Sequence, residues 1–140
     1  MDMNLKYQTE SKRYNRALME RRYDDACASL SALASIREQE NCLDDSIKLS
    51  CIQFWLRIVG ARGFGCDGES ARRIKRLTEN VGMSIYELRE LFLQTCLDDN
   101  APTARMTARD CLYLLEVCMD GRYDDADEIF KRVVQKKPPI

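Results

Sequence analysis

The chain has 140 residues, with 22 Lys and Arg against 23 Asp and Glu, no histidine and a net charge of −1 at pH 7. Such a length suits one domain, which buries roughly two-thirds of its unfolded surface without staples. Balanced charge leaves no cationic excess for holding phosphates, which argues against a nucleic-acid partner, and the missing histidine removes the commonest general base.

Helical periodicity runs from end to end, with no strand alternation. A first helix is predicted from about Leu5 to Met19, with Tyr7, Tyr14 and Leu18 on one side. A second follows Tyr23, its Asp24 and Asp25 suiting the helix dipole and Ala26, Leu30, Leu33 and Ala34 forming a narrow apolar stripe. The third, from about Asp45 to Gly60, is apolar almost all round: Ile47, Cys51, Ile52, Phe54, Trp55, Leu56, Ile58 and Val59. That pattern belongs to a central, buried helix. Ser70 is expected to cap a fourth helix carrying Ile74, Leu77 and Val81 and stopped by Gly82. Ser84 with Glu87 forms a capping box for the fifth, with Met83 against Leu88 as a staple and Ile85, Leu91, Phe92 and Cys96 further along. A loop from Asp98 to Met106 precedes a sixth helix, capped by Thr107, carrying Cys111, Leu114, Leu115 and Cys118, and ending at Gly121. The last helix places Ala126, Ile129, Phe130, Val133 and Val134 on one face and is stopped by Pro138 and Pro139. The expected architecture is all-α: a single globular bundle of about seven helices over residues 1–140, packed around a central buried helix.

No P-loop, nucleotide fingerprint or nucleophile elbow occurs, so neither enzymatic activity nor a cofactor is expected. Paired carboxylates such as Asp44-Asp45 and Asp98-Asp99 read as caps and turn residues. No secretory h-region and no run of about 18 apolar residues is present, so no transmembrane anchor is expected. The seven cysteines include no CxxC pair, which argues against a metal site. Buried, reduced thiols of a cytosolic protein are the plain expectation; an exposed thiol joining two chains in a homodimer is the sharper one.

Three motifs bear on function. The segment from Met19 to Ala26, MERRYDDA, echoes MDGRYDDA from Met119 to Ala126. The second copy, with Gly121, Tyr123, Ala126, Phe130 and Pro138, resembles the second helix of a tetratricopeptide repeat, which implies a helical-repeat adaptor binding an extended peptide. Alternatively, both copies are simply good helix starts. A basic run, Arg72, Arg73, Lys75 and Arg76, lies in a segment resembling the first two helices of a phage-repressor helix-turn-helix, but acidic, broken sequence stands where a recognition helix should follow. A solvated charged face is expected there.

The third motif sits on the central helix. Arg57 is one charge on the most apolar helix, so it must be paired, snorkel at the core rim or face an opening. Trp55-x-Arg57-Ile58-Val59 followed by Phe64-Gly65 resembles the first homology motif of the Bcl-two family of apoptosis regulators. The stretch from Asp120 through Tyr123 to Phe130 resembles a weakened second motif, and Leu30 with Ala34 and Ser35 a degenerate third. Phe54 and Leu56 replace the family's Asn and Gly. The resemblance implies an apoptosis inhibitor of viral type that sequesters the amphipathic death-motif helix of a pro-apoptotic relative in an apolar surface groove. Arg57 would pair with the ligand's Asp, and Trp55, Leu56, Val59, Phe64, Gly65, Leu30, Leu33 and Tyr123 would support or line the groove. It further implies a cytoplasmic protein that can be recruited to the mitochondrial outer membrane.

Overall fold

The computed structural model describes residues 3–60, 66–97 and 107–136, with residues 97 and 133–136 as backbone only. Among them it is all-α, with no strand. Seven helices follow in order: α1 (Met3–Met19), α2 (Tyr23–Gln39), α3 (Leu43–Val59), α4 (Gly68–Val81), α5 (Ile85–Leu97), α6 (Ala108–Met119) and α7 (Tyr123–Lys136). Phe64, Gly65, the loop from Asp98 to Met106, the side chains of Val133 and Val134, and Pro138 and Pro139 lie outside the described residues.

The first three helices form an antiparallel row. The Arg37 guanidinium stacks over the Tyr7 ring at 3.7 Å, joining the end of α2 to the start of α1. Between α2 and α3 the register is marked at three levels. Ser46 Oγ donates to the Ala34 carbonyl at 2.8 Å, the Cys27 thiol approaches the Gln53 carbonyl at 3.9 Å, and Arg57 meets Asp24 at 3.0 Å. Beyond this row, α3 packs against α4, α5 and α6 as well as α2, while α7 leans on α6.

Two apolar clusters result, and α3 contributes to both. The larger gathers Ile47, Cys51, Phe54, Trp55, Ile58 and Val59 of α3 with Ile74 and Leu77 of α4, Leu88 and Phe92 of α5, Leu114 and Leu115 of α6, and Phe130 of α7. The smaller joins Leu56 to Ala17 of α1 and to Ala26, Cys27 and Leu30 of α2. A helix packed on one core by most of its circumference and on another by the rest shows no polar face, which accounts for the all-round pattern of α3. By contrast, α1 buries only Ala17 among its described side chains.

Helix ends explain the boundaries. Thr107 accepts from the Asp110 amide at 3.1 Å, and Ser84 Oγ accepts from the Glu87 amide at 3.1 Å, as their spacing predicts. The cap of α4 is Asp67, whose Oδ1 accepts from the Glu69 amide at 3.1 Å; the predicted cap, Ser70, lies inside the helix and is buried. Val81 and Ile85, both predicted on apolar faces, are 39% exposed.

The duplicated segment is a turn geometry, and it occurs three times among the described residues. Arg21 and Arg22 donate to the carbonyls of Leu18 and Ala17, Asn41 and Cys42 to those of Glu38 and Arg37, and Gly121 and Arg122 to those of Cys118 and Val117. Each pair closes a Schellman-type cap, then an aromatic or leucine opens the next helix with two aspartates behind it. Arg22 and Arg122 both bind the second aspartate, Asp25 and Asp125. The cap needs a left-handed residue, and φ is 58° at Arg21, 61° at Asn41 and 80° at Gly121. Only the third copy uses glycine. An L side chain in this region is strained, so Arg21→Gly should stabilise the fold by about 0.5–1 kcal/mol after the entropy of the unfolded chain is counted. Chemical denaturation checks this: the midpoint should rise with an unchanged m-value, whereas Gly121→Arg should lower it.

Candidate functional site

The last turns of α3 carry the charge that the sequence singles out. Trp55, Leu56, Ile58 and Val59 are buried, but the Arg57 side chain keeps 34% exposure at the seam between α3 and α2. Its Nη1 donates to Asp24 Oδ1 at 3.0 Å, and Asp24 is itself exposed. The residue beside Asp24 fixes this approach: the Tyr23 ring lies where a Cβ on Gly60 would stand, 2.8 Å from its Cγ. Glycine at the C-cap of α3 therefore lets the start of α2 close over the helix end. Thus Arg57 is a rim arginine whose charge is met within the chain by an aspartate of the recurring turn. In the equivalent turn before α7, Asp124 has no such arginine opposite it among the described residues.

The other predicted residues are distributed between the two clusters. Leu30 and Leu56 meet in the smaller one; Trp55 and Val59 lie in the larger, with half-buried Tyr123 packed against its edge. Leu33 is buried and belongs to neither cluster. All of these except Tyr123 are covered by the chain's own helices, which suits a supporting role; lining an open groove requires a covering helix to move. Trp55 Nε1 is buried without a hydrogen-bond partner among the described residues. A shallow depression of about 410 Å³ lies at the opposite end of α3, lined by Asn41, Cys42, Leu43, Asp44, Asp45 and Val81. Helix rise alone separates it from Arg57 by roughly 20 Å.

No family model, curated protein or solved structure matches the chain. No described helix is long and apolar enough to cross a membrane.

A second polar constellation forms around the one member of the basic run that lies inside. Arg73 is only 7% exposed. Its Nη1 donates to Gln53 Oε1 at 3.0 Å and to Ser50 Oγ at 3.3 Å, and its Nη2 donates to Glu69 Oε1 at 2.8 Å and Ser31 Oγ at 3.1 Å. Gln53 Nε2 completes the network by donating to Asp67 Oδ2 at 2.7 Å. Nearby, Arg76 pairs with Glu38 of α2 through a second bond of 3.0 Å. Of the basic run only Arg73 is buried; Arg72, Lys75 and Arg76 are exposed, which gives the expected solvated face, although Arg76 also reaches Glu38 of α2. The signal of Arg73 in the sequence is spacing: it lies between Ser70, Ile74 and Leu77 on the buried arc of α4.

Removing Arg73 strands buried Gln53 and Ser50 atoms, so Arg73→Ala should cost about 2–4 kcal/mol, read by urea unfolding. The network also sets a pH dependence. The hydroxyl of Ser31, then Arg73, holds the Glu69 carboxyl below its ordinary range; Arg76 does the same for Glu38. A carboxyl whose folded pKa is depressed stabilises the fold fully above its unfolded value of about 4.3, and this contribution is lost as pH falls through the folded value. The double variant Glu38→Gln/Glu69→Gln should therefore flatten the fall of stability below about pH 4, measured as melting temperature against pH.

Proposed function

We propose that the chain is a non-catalytic binding protein of Bcl-two-like type, an apoptosis inhibitor that captures the amphipathic death-motif helix of a pro-apoptotic partner beside the end of α3. The observation that carries this is Arg57: a rim guanidinium on the most buried helix, already meeting a carboxylate from an exposed, replaceable residue. A ligand aspartate would take the place of Asp24, and the apolar anchors of its helix, spaced i, i+3/i+4, i+7, would enter where Leu30 of α2 meets Leu56 of α3. Trp55 and Val59 would support that surface from beneath. Charge-assisted pairing at the rim gives register and specificity, while apolar burial gives most of the affinity.

Death-motif peptides should bind the purified chain, and Arg57→Glu should weaken binding by about 1–3 kcal/mol through loss of a charge-assisted contact. Asp24→Asn should strengthen it, because the internal competitor is gone while the fold keeps an isosteric side chain. Equal affinity for wild type and Arg57→Glu would remove Arg57 from this role.

The recurring turn favours a second reading, a helical-hairpin adaptor of tetratricopeptide-like type that binds an extended peptide. Isotope-edited spectra of the bound peptide separate the two: helical for the first, extended for the second.

A further inference from the structure

The three recurring turns differ at the residue that must be left-handed. Gly121 meets that demand at no steric cost, and asparagine, present as Asn41, is among the residues that reach positive φ most readily. Arg21 has neither advantage, and its φ of 58° is strained for a long L side chain. The residues around it do not favour a turn either. Met19, Glu20, Arg21 and Arg22 are all good helix formers, with no glycine or proline among them. Local preference is to run α1 straight on into α2, and only the packing of α1 back on α2 bends the chain.

That packing is confined. Among the described residues, α2 is the one helix on which α1 packs extensively. Ala17, with half-buried Tyr14 and Leu18, sits on an apolar strip made by Ala26, Cys27 and Leu30 of α2 and Leu56 of α3. At the other end of α1, Tyr7 lies under the Arg37 guanidinium. By contrast, α2 is tied to α3 through Ser46 and Ala34, and to α4 through Ser31 with Arg73 and Glu38 with Arg76. The strained turn is therefore the joint of a helix that rests mainly on one neighbour.

We propose that α1 exchanges between two copies of the chain, giving a symmetric dimer in which the strip on α2 and α3 of each copy is covered by α1 of the other. Opening the turn at Arg21 joins residues 3–39 into one helix of about 55 Å. Two such helices lie antiparallel, α1 of one copy along α2 of the other. The packing of α1 on the strip and on Arg37 is remade between the copies, and the left-handed arginine disappears from both. The entropy of association opposes the exchange, so concentration sets the balance.

The test is refolding of the full chain over a range of concentrations in reducing buffer, followed by light scattering. Reduction removes any disulfide through exposed Cys42. A species of twice the 16.2 kDa chain mass should grow with concentration. Arg21→Gly relieves the turn once per chain and should lower the association constant about 5- to 30-fold. Exchange itself is read by refolding Tyr7→Cys chains together with Arg37→Cys chains, both in a Cys42→Ser background, and adding a short bis-maleimide once reductant is removed. Peptide mapping should link position 7 of one chain to position 37 of the other, while the second half of the dimer keeps its Tyr7 and Arg37 pair. A chain that stays monomeric at every concentration would overturn the proposal. So would a dimer that Arg21→Gly leaves equally strong, or one whose mapped links omit positions 7 and 37.

Discussion

A guanidinium buried among helices must find several oxygens at once or the helices will not close around it. In this chain the guanidinium is that of Arg73, and the oxygens come from three elements: Ser31 on α2, Ser50 and Gln53 on α3, and Glu69 on its own helix. Apolar contacts alone tolerate sliding and rotation of helices, because many arrangements bury similar area. A planar group with fixed donor directions does not. The network therefore sets how α4 crosses α3 and how both sit against α2. Gln53 extends the constraint to Asp67, which caps α4, so the start of the helix and its placement are set together.

With that junction fixed, α3 becomes the hub. It supplies side chains to both cores and meets α2, α4, α5 and α6, whereas α1 rests on α2 with one buried side chain. Stability should accordingly be graded, greatest where α3 is enclosed and least at α1. Arg57 stands where this gradient is steep. It belongs to the best-held helix, yet its partner Asp24 lies at the start of α2, under a turn whose left-handed residue is an arginine. A rigid cation with a yielding partner is the arrangement a competing carboxylate can exploit.

Much of the fold was legible because it follows from local rules. Ser84 and Thr107 cap as their spacing predicts, Gly82 and Gly121 adopt the left-handed conformation that ends a helix, and α3 is enclosed as its all-round apolarity requires. The copy of the recurring turn between α2 and α3 was not, because Asn41 takes the position that Gly121 marks openly and no glycine or proline precedes Gly60. The cap of α4 was misplaced by three residues: Ser70 and Asp67 are both good capping types, and only the tertiary engagement of Asp67 with Gln53 distinguishes them. Arg73 was hidden for a related reason. A run of Arg and Lys reads as a solvated face until Ser31, Ser50 and Gln53, scattered over two other helices, are brought opposite one of its members. At the candidate site, the helix carrying Arg57 was evident from the pattern around it, while its partner, thirty-three residues away in the sequence, was not.

Native-state hydrogen exchange followed amide by amide would examine the enclosure of α3 against every other helix at once. The slowest amides should cluster from Ile52 to Val59 and exchange only through global unfolding, with α1 exchanging earliest through local opening. Protection spread evenly over all the helices, or greatest in α1 and α2, would contradict a structure organised around α3.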